Sequence, residues 1–168
     1  MKTIFRWLDR FGYNHPNFGL PNLIRWVVYA NVVVYVMDMV TNGMLSSYLA
    51  FYPAAVLQGQ VWRLLTFVLV PESYSTTGLG PVWFFFSMLF YYYLGTALEQ
   101  TWGTARFNLF YLSGVILTLI AGFVSYGLTA VFSPELSSVF SMIPITIGQV
   151  NFSIFLAFAT VFPEAQFR

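Results

Sequence analysis

Cysteine is absent from the chain, and histidine occurs once, at His15. The first absence excludes disulfides, thiolate chemistry and cysteine-ligated zinc. The second excludes a histidine-rich metal centre, so no metal and no cofactor is expected. Charge is scarce as well. Only 8% of the 168 residues are charged, against roughly 25% in soluble domains, whose surfaces must be solvated. A water-facing shell cannot be built from so few. The net charge of +1 leaves no basic footprint for nucleic acid. Residues 1–22 are mixed and polar, without the apolar stretch and small-residue cleavage site of a signal peptide.

What is present is apolar. Hydrophobic residues make up 58% of the chain and aromatic residues 21%, with 19 Phe and 11 Tyr. Rings suit lipid-facing helices and the belts where a hydroxyl or indole meets headgroups. The expected class is an all-α integral membrane protein, with a short N-terminal segment (1–22) and one membrane domain (23–168).

Gaps between charges place the spans, since about 20 mostly apolar residues cross a bilayer. No charge lies between Glu72 and Glu99, between Arg106 and Glu135, or between Glu135 and Glu164. The reading is four spans: 23–43, 81–98, 107–131 and 142–162. The first contains Arg25, Asn31 and Asp38; the carboxylate near its far end is expected to snorkel or pair. Residues 44–80 are apolar but interrupted by Pro53, Gly59 and Pro71. They predict an interfacial outer loop with one or two short helices. With the N-terminus inside, Lys2, Arg6, Arg10, Arg25, Arg106 and Arg168 are cytoplasmic and only Arg63 is outside. That satisfies the positive-inside rule.

Two stretches carry most of the identity. Residues 59–66 read Gly-Gln-Val-Trp-Arg-Leu-Leu-Thr. Residues 95–107 place Gly95, Glu99, Gly103, Arg106 and Phe107 at fixed intervals across the second and third spans. Together they resemble the rhomboid superfamily of intramembrane proteins, whose pattern runs GQ-x-WR-L-x-T and then G-x-x-x-E-x-x-x-G-x-x-K/R-F. Asn31 early in the first span also fits. The resemblance implies a rhomboid-like bundle of six helices, of which about four lie within these residues, with the others beyond Arg168. It marks Trp62, Arg63, Gly95, Glu99, Gly103 and Arg106 as architectural. Read physically, Gly95, Gly114 and Gly122 permit close helix approach. Glu99 and Arg106 pair or cap at the inner turn, and Arg63 donates to backbone carbonyls or is solvated.

The chemistry of an active rhomboid is missing where it can be tested. The family's H-x-x-x-N falls on Trp83 and Ser87. Its G-x-S-G is replaced by Gly148-Gln149-Val150-Asn151, with Val150 at the nucleophile's place. Ser153 lies almost a turn deeper, where a hydroxyl commonly bonds the carbonyl four residues back. His15 precedes the first span, on the wrong side. Gly148-Gln149 and Pro163 are similar to Derlins and other inactive rhomboids, which bind membrane clients. The leading expectation is a pseudoprotease in a prokaryotic plasma membrane. Its partners are the bilayer and transmembrane client proteins, and Ser87, Gln149, Asn151 and Ser153 line any surviving cavity. The oligomeric state stays open. An active serine protease using Ser153 is the alternative. A small transporter or channel subunit is a third, with only Asp38 ionisable within the spans.

Overall fold

The computed structural model describes residues 19–71, 78–132, 135 and 143–161. His15, Pro163, the N-terminal basic residues and most of the loop between the third and fourth spans lie outside them.

The first helix, α1 (Leu23–Thr41), has 19 residues. At 1.5 Å per residue that is about 28 Å, close to the hydrocarbon thickness. Two successive left-handed residues end it, Asn42 at φ 51° and Gly43 at φ 85°. The chain turns straight into α2 (Met44–Leu49). Asp38 makes this turn possible. It is fully buried, and its carboxylate accepts the Ser46 backbone N–H at 3.0 Å and the Ser46 hydroxyl. The carboxylate expected to snorkel or pair thus pairs, as an internal cap for α2, satisfying an amide that a helix start leaves unpaired. Asp38→Ala is expected to cost ~1–3 kcal/mol, the penalty of stranding buried donors. Asp38→Asn keeps one acceptor and should cost less. Thermal unfolding in detergent checks both, and equal melting of all three proteins would contradict the capping role.

The rest of the loop holds α3 (Pro53–Leu57), α4 (Arg63–Thr66) and a 3-10 turn (Phe67–Leu69). With α2, the described part of the loop holds three short α-helices and a 3-10 turn where the sequence predicts one or two short helices. Pro53 opens α3, where its missing N–H costs nothing, and Gly59 at φ 102° separates α3 from α4. Asn31, buried in α1, ties the end of the loop down. Its Nδ2 donates to Val27 O at 2.8 Å and to Val68 O at 3.1 Å.

Among the described residues, three helices are long and apolar enough to cross a membrane: α1, α5 (Gly80–Trp102) and α6 (Thr104–Phe132). Gly103 at φ 85° makes the turn between the last two. The fourth span starts later than expected. α7 (Gly148–Val161) has 14 residues, about 21 Å. It starts at Gly148 instead of 142 because the chain before it is committed elsewhere. Ile145 and Phe51 exchange backbone hydrogen bonds of 3.0 and 3.2 Å, and Pro144 cannot donate to a helix.

α5 contacts α1, α6 and α7, and α6 contacts α7 and α3. The core is built from rings and branched side chains: Tyr35, Phe51, Phe67, Phe84, Phe107, Val150 and Ile154. The outward faces are equally apolar, with Trp26, Val33 and Leu117 each more than 60% exposed. Such a surface fits contact with lipid and not with water.

Candidate functional site

Along α6, Gly114, Thr118, Gly122 and Ser125 recur at three- and four-residue steps, so small side chains share one face. α7 approaches this face at Gly114, where an added Cβ would meet Val150 Cγ1 at 3.5 Å. At Gly122 the α1–α5 loop and the segment before α7 both approach. A Cβ there would lie 2.5 Å from the Phe51 ring and 2.7 Å from Ile145 Cδ1. Between these contacts a pocket of about 430 Å³ opens. Its polar lining comes from Thr118, Ser125 and Tyr126 of α6 and Gln149 and Ser153 of α7; Pro53 and residues 143–145 close one side.

Its chemistry is that of neutral hydrogen-bonding groups. Ser153 donates to Gln149 O at 3.1 Å, and Thr118 to Gly114 O at 2.8 Å. Among the described residues no Asp, Glu, Lys, Arg or His lines it. A serine nucleophile needs an adjacent base and fixed donors for the oxyanion. Val150 is buried in the core.

Of the four predicted cavity residues, the structure brings Gln149 and Ser153 together. Asn151 is buried away from the pocket, and Ser87 is half-buried on α5 without lining it. Trp83 is 64% exposed, set edge-on to Phe86. The pocket residues on α6 were not foreseen, although the step between Gly114, Thr118 and Gly122 marks them.

The architectural residues stand apart from the pocket, at the two ends of the spans. Arg63, only 7% exposed, holds the loop together. Its Nη1 donates to Ser47 O and Ala50 O, both at 2.8 Å, and its Nε to Gln60 Oε1 at 2.6 Å. The Tyr48 and Tyr52 rings flank the guanidinium, and Trp62 stacks on Tyr48. At the other end, Glu99 Oε1 accepts the Asn22 N–H at 2.8 Å and the Thr104 hydroxyl at 3.2 Å. It pins the start of α1 to the turn between α5 and α6. Arg106 is exposed in the first turn of α6, and Gly95 faces Ile24 of α1.

Residues 23–167 match the family model described as "Eukaryotic integral membrane protein (DUF1751)". That description is at odds with the prokaryotic membrane expected above. No curated protein and no solved structure matches the chain.

Proposed function

We propose, from the premise that the chain belongs to this family of eukaryotic integral membrane proteins, that it is a rhomboid-like pseudoprotease that receives transmembrane helices of client proteins. The observation that carries the reading is the pocket between α6 and α7. It offers hydroxyls and an amide and no acid or base among the described residues. A client helix with an uncharged polar residue in mid-span has an unsatisfied group in hydrocarbon, which is costly. Gln149, Ser125 and Tyr126 offer it donors and acceptors. Such interhelical bonds are each worth about 0.6–2 kcal/mol, enough for selection and weak enough for release. The late start of α7 at Gly148 supports the same reading, because a helix that begins deep in the bilayer favours local thinning and eases the approach of a polar segment. The N-terminus is assigned to the cytosolic side, as the basic residues favour.

The test is photo-crosslinking in liposomes, with a benzophenone at Leu117 on the pocket rim. A model helix carrying a mid-span Asn should crosslink several-fold more than its all-Leu counterpart. Gln149→Leu should abolish that preference. The longest natural form should not label with a fluorophosphonate. Labelling abolished by Ser153→Ala would replace this reading with an active serine protease. Equal crosslinking of both helices would remove the client reading.

A further inference from the structure

α1 and α5 touch at two levels. Near one end Ile24 lies against Gly95. Deeper, the Tyr35 and Phe84 rings stack at 3.9 Å and 8°. Between these contacts runs an apolar groove of about 490 Å³, lined chiefly by Tyr29, Val32 and Val33 of α1 and Phe85, Leu89 and Tyr92 of α5. It is open to the surroundings, since Tyr29, Val33 and Leu89 are each more than half exposed. This groove is separate from the α6–α7 pocket and shares no lining residue with it.

Arg25 stands beyond the head of the groove, one helical turn before Tyr29. Arg25 lies over the ring of Tyr92, 5.7 Å from its centroid. Its Nε–H is buried and has no hydrogen-bond partner among the described residues. Leaving that donor unmade is costly, and more so on a charged group. Arg25 is the third residue of α1, at headgroup depth. From Arg25 to Val33 the helix rises about 12 Å, close to one leaflet of a ~30 Å core. The Tyr35–Phe84 stack then ends the groove. A transmembrane helix would need a groove twice as deep. An acyl chain needs only this depth, and a phosphodiester presents two oxygens to the guanidinium fork.

We propose that this groove holds one phospholipid with a net-negative headgroup, its phosphate on Arg25 and one acyl chain between α1 and α5. The charge selects the headgroup. A choline headgroup brings a second cation to the arginine, whereas a serine headgroup leaves one negative charge to be met.

Delipidated protein in detergent, titrated with phosphatidylserine or phosphatidylcholine and read by native mass spectrometry, tests this. The wild type should retain one phosphatidylserine with about tenfold preference, the scale of one charge-assisted contact. Arg25→Gln should remove the preference, and Arg25→Lys should restore part of it. Leu89→Trp, which fills the groove from an exposed position, should weaken both lipids. A benzophenone at Val33 should form an adduct with the mass of a lipid. Equal retention of the two lipids by the wild type, or a preference surviving Arg25→Gln, would overturn the proposal. A polypeptide adduct at Val33 would assign the groove to a protein partner instead. Full competition by glycerophosphoserine, the headgroup without chains, would reduce it to an anion site and overturn the lipid claim.

Discussion

Replacing Arg63 by alanine is expected to destabilise the protein by about 3–5 kcal/mol, through collapse of the loop between α1 and α5. The loss arises from what the guanidinium leaves behind. Ser47 O and Ala50 O both lose a 2.8 Å donor, and Gln60 Oε1 loses one at 2.6 Å. Ala50 O is buried, and stranding it costs ~1–3 kcal/mol; Ser47 O and Gln60 Oε1 are only part-buried and add less. Loss of the contacts with Tyr48 and Tyr52 adds ~0.5–2 kcal/mol. These contributions share one side chain, so they do not sum fully. Arg63→Lys supplies a charge and three donors but no planar fork, and should recover about half. Unfolding in detergent measures the stability. Limited proteolysis should cut the alanine variant first within residues 44–71, and Trp62 emission should shift as it leaves Tyr48. An Arg63→Ala protein with wild-type melting and protection would mean that the arginine is solvated and the loop holds itself.

That loop was legible as a loop because proline and glycine interrupt it. Its internal order was not, because the acceptors for Arg63 are backbone carbonyls, which no sequence pattern marks. The span positions were legible from the charge gaps, but their ends were read too strictly. α5 runs to Trp102 and α6 begins at Thr104. Glu99 and Arg106 therefore lie inside helices at the spans' ends, where Glu99 reaches back to the Asn22 amide. A charge near a membrane boundary is a helix residue with a polar partner, not a terminus. The start of α7 was misplaced for another reason. The backbone pairing of Phe51 with Ile145 joins segments far apart in the chain, and a run of apolar residues carries no trace of it.

Faces were the least legible feature. In water, the polar side of a helix identifies the buried side. Here the outside is as apolar as the core, so periodicity is nearly lost. The half of the candidate site on α7 survived this, because Gln149 and Ser153 are polar and one turn apart. Asn151 did not, since its position on the helix turns it into the core. On α6, Gly114 and Gly122 suggest close packing, which the Val150, Phe51 and Ile145 contacts bear out. The hollow that such packing leaves beside Thr118, Ser125 and Tyr126 depends on where three elements stop short of one another. Only the assembled fold contains that information.

Gly95→Ala is expected to destabilise the α1–α5 contact by about 1–3 kcal/mol, the usual cost of overpacking. The added methyl would lie 2.5 Å from Ile24 Cγ1 and 2.9 Å from its Cβ. Ile24 is 1% exposed and β-branched, so one χ1 rotamer is strongly preferred in a helix and moving it is costly. The two helices must separate. Helix propensity acts in the opposite direction, by ~1 kcal/mol in favour of alanine, and the clash outweighs it. Gly127 provides the control within the same bundle. Nothing lies within 4 Å of a Cβ placed there, so Gly127→Ala should be neutral or stabilising by up to ~1 kcal/mol. Ile24→Ala removes both Cγ atoms and Cδ1 and relieves the 2.5 Å contact, leaving only its Cβ at 2.9 Å. In a double-mutant cycle it should return ~1–2 kcal/mol of the Gly95→Ala loss, although alone it opens a cavity and destabilises. Reversible unfolding of the four proteins in one detergent measures the coupling. Additive losses, or equal behaviour of Gly95→Ala and Gly127→Ala, would show that α1 and α5 do not depend on this contact.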